Sequence, residues 1–96
     1  MSFRFHPEAE AEFLAAIDWY AERSANLGED FASEIFATIQ LAVSMPLAWP
    51  RVEGEVRRIL VNRFPYGVLY APRDGWIYLL AVMNVRRQPD YWHSRS

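Results

Sequence analysis

The sequence contains no cysteine and no lysine, and only two histidines and four glycines. Without cysteine there is no disulfide framework, no thiolate metal site and no thiol nucleophile. His6 and His93 stand near opposite ends of the chain with no ligand cluster around either, so no metal centre is expected. The glycines form no phosphate-cradling loop and no serine elbow occurs, so no cofactor is expected either. No apolar run approaches the roughly 20 residues of a membrane helix. The opening MSFRFHPEAE lacks the basic-then-apolar layout of a secretory signal. These absences predict a cytoplasmic protein that makes no membrane contact.

What remains is apolar and ring-rich. Of 96 residues, 52% are hydrophobic and fifteen are aromatic, a composition that excludes intrinsic disorder. The length fits a single domain over residues 1–96. The net charge of −2 is polarised along the chain. Residues 1–50 carry eight acids against Arg4 and Arg23, a balance of −6, and residues 51–96 carry four acids against eight arginines, a balance of +4. Arginine is the sole strong base, and its fork binds carboxylates and phosphates in pairs of bonds and stacks on rings.

The spacing predicts an α+β domain. Ser2 to Phe5 reads as a strand, and Pro7 suits the first position of a helix whose first turns hold Glu8, Glu10 and Glu12. At 100° per residue, Phe13, Leu14, Ile17, Tyr20 and Ala21 share its apolar side. Glu8, Glu12, Asp18 and Glu22 gather opposite as a solvated face, with Trp19 among them. Ser24–Gly28 breaks the helix, Asn26 with Glu29 offers a capping box for a second, and Phe31, Ile35, Ile39 and Ala42 make its buried stripe. Met45-Pro46 ends the helical hairpin. Three strands follow at Val56–Phe64, Tyr66–Ala71 and Trp76–Val85, with Glu53-Gly54-Glu55 opening the first and Pro72-Arg73-Asp74-Gly75 as a turn. The tail Gln88–His93 reads as a turn or one helical turn. The expected fold is an N-terminal strand, a helical hairpin and a three-stranded antiparallel meander, with both helices on one face of the sheet.

The run Trp76–Met83 is apolar at odd and even positions alike, so both sheet faces need cover. The helices shield one face. The other calls for the C-terminal tail, a second copy or a dedicated partner, and the expectation is a partner.

The arginines carry the functional signal. Arg57 and Arg63 fall on one side of their strand with Ile59 and Val61, and Arg58 falls on the other side with Leu60 and Asn62. Arg86 and Arg87 end the last strand and precede Tyr91, Trp92 and His93. Guanidinium groups beside rings suit a phosphate backbone with stacked bases or an acidic protein segment.

The stretches FHPEAEAEFLAAIDWYAERS, LGEDFASEIFATI, MPLAWPRV, VRRILVNRFPYGVLY and IYLLAVMNVRRQPDYW follow one another in an order that resembles the RelE/ParE superfamily of type II toxin–antitoxin toxins. The chain is most similar to the branch described as ParE-like or plasmid-stabilisation toxins. The resemblance implies a toxin held in a hetero-oligomer by a small co-encoded antitoxin, with DNA gyrase as its target. On that footing Arg58, Arg63, Arg86 and Arg87 dock the target electrostatically, with Tyr91 and Trp92 as aromatic anchors. The RelE-like branch of the superfamily implies instead a metal-independent endoribonuclease acting on messenger RNA in the ribosome. There Arg63 and Arg86 or Arg87 would hold the phosphate, and Tyr91 or His93 would move the proton. Gly67 departs from that branch, whose members often have an arginine at its place. A third alternative is a non-toxic relative that only binds its antitoxin and represses their operon.

Overall fold

In the computed structural model, which describes residues 2–87 and 89–95, strand β1 (Ser2–Phe5) leads into helices α1 (Pro7–Arg23) and α2 (Ala25–Ser44). Strands β2 (Arg51–Glu53), β3 (Val56–Leu60), β4 (Tyr66–Arg73) and β5 (Trp76–Asn84) follow, and a last 3-10 turn spans His93–Arg95. The five strands form one sheet in the order β1-β5-β4-β3-β2. β1 lies parallel to β5 and the remaining pairs are antiparallel. The expected strand, hairpin and meander are therefore present, with one strand added. β2 escapes a pattern search because its three residues are all exposed and do not alternate. Glu53 pairs with Val56, so Gly54-Glu55 is a two-residue turn and not the start of a strand. Gly54 has φ +54, the backbone that the first central position of such a hairpin turn demands. β3 is shorter than expected, because after Leu60 the chain turns Val61 and Phe64 inward ahead of Pro65.

His6 caps α1, its Nδ1 accepting from the Glu8 amide at 3.1 Å, and Pro7 takes the first turn as expected. The buried line of α1 is Ala9, Phe13 and Ala16, flanked by Ile17 and Tyr20, while Leu14 is 56% exposed and Ala21 lies at the surface. The helix is thus rotated from the predicted face. Its alanines allow close approach to the sheet, and a larger residue at 14 has no place there. α2 is capped by Ser24 without a side-chain bond, so the capping box at Asn26 does not form. Its stripe of Phe31, Ile35, Ile39 and Ala42 is fully buried, as the spacing predicts.

The core between helices and sheet joins that stripe to Ile59, Val68, Tyr70, Ile77, Leu79 and Val82. Phe31 meets Tyr20, Phe64 and Tyr66 at ring-centroid distances of 5.0, 5.1 and 4.9 Å, within the favourable range for aromatic pairs. The Tyr70 hydroxyl donates to the Pro46 carbonyl at 2.7 Å and ties the end of the helical hairpin to β4.

Apolar residues do fill both faces of β5, and the register shows how. The pairing shifts between Leu69–Ala81 and Tyr70–Leu79, which leaves Leu80 as the extra residue of a bulge. Ile77, Leu79 and Val82 face the helices, whereas Leu80, Ala81 and Met83 join Val56, Leu69 and Ala71 in a second cluster. Of the three covers expected for that second face, the tail is the one seen within the chain. Trp92 is only 3% exposed, packs into the second cluster and donates its Nε1–H to the Pro89 carbonyl at 2.7 Å. The tail forms turns as expected, apart from Gln88, which lies outside the described residues.

Candidate functional site

Beside the sheet, the C-terminal half of α1, the start of β4, the end of β5 and the tail enclose a groove of about 580 Å³. Ala15, Ala16, Trp19 and Tyr20 come from α1, Tyr66 from the start of β4 with Pro65 just before it, and Val82 and Asn84 from β5. Arg86, Arg87 and Tyr91 complete the rim. The wall is local in origin. Asn84 ends β5 and turns the chain, its Oδ1 accepting from the Arg86 amide at 2.9 Å and its carbonyl from the Arg87 amide at 3.0 Å. This puts both arginine side chains at the groove. Among the described residues neither makes an ion pair. Arg87 lies over the Tyr91 ring at 4.1 Å, a cation–π contact that leaves its fork donors available. Trp19, half exposed, lines the opposite side with the Arg23 guanidinium 3.3 Å above its ring. The groove is therefore aromatic and alanine-lined with a basic rim.

Glu12 lies at the base of this groove, and it corrects the solvated-face assignment. Its side chain is 17% exposed and receives a two-pronged bond from Arg95, Nη1 to Oε1 at 2.9 Å and Nη2 to Oε2 at 3.0 Å. Oε1 also accepts from the Val82 amide beside the bulge at 3.2 Å. Arg95 spends another donation on the Leu80 carbonyl at 3.1 Å, and its Nε stands 3.5 Å from Glu8. The sequence held one signal for this. Glu12 stands three residues after Ala9 and four before Ala16, on the line that the small buried residues bring to the sheet.

The other candidates lie elsewhere. Arg63 pairs with Asp30 at 3.4 Å, both side chains about half exposed, a surface contact worth at most about 1 kcal/mol. Arg58 is on the second face of the sheet, where its Cγ and Cδ would stand 3.4 Å from a Cβ at Gly67. A Cβ at 67 would thus meet the stem of Arg58 in ordinary van der Waals contact. Trp92, expected as an anchor for a partner, is buried and anchors the tail. His93 lies in a different groove, its Nε2 2.6 Å from the Glu53 carboxylate. Among the described residues no group of three or more His, Asp or Glu side chains gathers as a metal site.

Burial raises three phenols, Tyr20, Tyr70 and Tyr91, and the last two most strongly. Burial pushes Tyr70 up to about 12, against the lowering pull of Arg57. Burial and then the adjacent Glu12 carboxylate raise Tyr91 further, against Arg95 and Arg87. The Tyr91 hydroxyl is buried beside Glu12 but outside hydrogen-bonding geometry. Tyr70 and Tyr91 are neutral acids whose folded pKa lies above the unfolded value of about 10. Their stabilisation is therefore complete below about pH 10 and is lost as the pH rises above it, toward about 12 for Tyr70 and further for Tyr91. Alkaline titration should show the phenolate absorbance of these two tyrosines arriving together with the loss of near-ultraviolet circular dichroism. Ionisation of either ahead of unfolding would contradict the burial.

A helical hairpin on a mixed five-stranded sheet, with a basic aromatic groove beside it, defines a small α+β fold. The sequence pattern of the family described as "ParE toxin of type II toxin-antitoxin system, parDE" matches residues 3–89, and the chain belongs to that family. Its fold is similar to a solved structure described as "Chromosomal ParDE TA system from P. aeruginosa", with a TM-score of 0.73 at 19% identity over 88% of this chain and 95% of that one. No curated protein matches the sequence. Among the described residues, no helix is long and apolar enough to cross a membrane.

Proposed function

We propose that this ParE-family toxin arrests bacterial growth by binding DNA gyrase in the cytoplasm through the groove rimmed by Arg86, Arg87 and Tyr91. A small co-encoded antitoxin neutralises it in a hetero-oligomer. The observation that carries the reading is the grouping of two arginines, without ion pairs among the described residues, beside Trp19, Tyr66 and Tyr91 in one groove. Such a surface suits an acidic, ring-bearing protein segment, because guanidinium and aromatic side chains dominate interface energetics. An antitoxin tail of acidic character would fold against the same charge.

The ribonuclease alternative draws less support. Its candidate groups are dispersed: Arg63 is paired with Asp30, and His93 lies across another groove from Arg86 and Arg87. Tyr91 holds its proton tightly, which makes it a poor general base near neutral pH. Pulse-labelling after induction of the chain alone in a bacterial host separates the alternatives. DNA synthesis is expected to fall first. Earlier loss of protein synthesis would point to the ribosome, and no effect on either would leave a non-toxic relative that only binds its antitoxin.

A further inference from the structure

The Arg95 side chain is mostly buried and is not among the residues lining the groove, yet it touches the ring on which one of the rim arginines rests. Its side chain is 8% exposed, and its guanidinium carbon stands 4.8 Å from the centre of the Tyr91 ring. Arg87 occupies the same ring at 4.1 Å. Two like charges on one ring repel, and the Glu12 carboxylate beneath Arg95 offsets that repulsion. Glu12 is held in turn by the Val82 amide at the bulge of β5. A continuous set of contacts thus runs from the sheet through Glu12, Arg95 and Tyr91 to Arg87. Three of the five N–H donors of Arg95 are spent within the chain, two on Glu12 and one on Leu80.

We infer that Glu12 and Arg95 are positioning residues: their buried ion pair latches the C-terminal tail and so fixes the Tyr91 ring and the Arg87 guanidinium on the groove rim. The chain's target is met by Arg87 and Tyr91, and the latch sets where they stand. A lysine at 95 keeps the charge but has no planar fork to grip both Glu12 oxygens, so it loosens the ring without removing a cation. The inference rests on the groove being the target-binding surface, and its test is split so that the two fail separately.

Nuclear magnetic resonance of the free protein should find the Arg87 Hε proton shifted by the ring current of Tyr91. Arg95→Lys is expected to move that proton most of the way to its position in Tyr91→Leu. In a gyrase supercoiling assay, Arg95→Lys should raise the half-inhibitory concentration about tenfold, the scale of coupling between contacting residues. In an Arg87→Ala background the same change should add less than about twofold, because a residue acting through Arg87 has nothing left to position. A merely structural role would multiply the two losses instead. An unmoved Arg87 proton, or multiplicative effects, overturns the latch. A wild-type chain that leaves gyrase untouched overturns the gyrase reading alone, and the resonance still decides the latch. Should Arg95→Lys not fold, Glu12→Gln, which preserves shape and removes the charge, takes its place.

Discussion

Alanine at both Arg86 and Arg87 is expected to abolish growth arrest while leaving the fold intact. Both side chains are exposed on the groove rim and neither makes an ion pair among the described residues, so the folded state loses little beyond the contact of Arg87 with Tyr91. Stability should change by no more than about 1 kcal/mol. The loss at the interface is far larger. An arginine at the centre of a protein interface contributes about 2 kcal/mol or more when truncated, so two together weaken binding by roughly a thousandfold. Arg51→Ala removes one such charge at an exposed position away from the groove and should leave growth arrest unchanged. Circular dichroism and a denaturation midpoint confirm that each variant is folded. Growth arrest that survives the double replacement in a folded protein would remove the groove from the account.

The second large effect is on stability. Glu12→Ala deletes the acceptor of a buried fork and of the Val82 amide in one step. It leaves Arg95 charged inside a site where its side chain is 8% exposed. Removing one partner of a buried pair costs about 3–5 kcal/mol. A domain of this size has only about 5–15 kcal/mol to lose, so the denaturant midpoint should fall by roughly a fifth or more. The tail would loosen with it and uncover Leu80 and Met83, which a dye for exposed apolar surface reports. Glu22→Ala, at an exposed acid of the same helix, should change the stability by no more than about 0.5 kcal/mol. Equal effects at the two positions would show that Glu12 is the surface charge the sequence suggests.

That contrast marks where sequence pattern stops. The stripe of α2 was legible because Phe31, Ile35, Ile39 and Ala42 keep helical spacing on a helix whose single buried side faces the sheet. The two-sided burial of β5 was legible too, as an unbroken apolar run. The bulge at Leu80 was not, because a one-residue slip within an apolar run leaves no change of residue type. β2 was missed because three exposed residues carry no periodicity. The rotation of α1 was missed because Leu14 outweighs alanine in any apolar projection, while packing selected the small residues Ala9 and Ala16. At the site, Arg86, Arg87 and Tyr91 are close in sequence and meet in one groove, whereas Arg95 and Glu12 are 83 residues apart and only the folded tail joins them. Trp92 shows the same limit: a late tryptophan beside arginines reads as an anchor for a partner until the second sheet face is seen to need it.

The most direct test of the account is gyrase supercoiling of a relaxed plasmid by purified components, with the wild-type chain and the Arg86→Ala/Arg87→Ala variant compared across concentration. The account predicts that the wild-type chain stops supercoiling and that the double variant does not. A wild-type chain that leaves supercoiling untouched, while messenger RNA is cut on ribosomes in its presence, would contradict it.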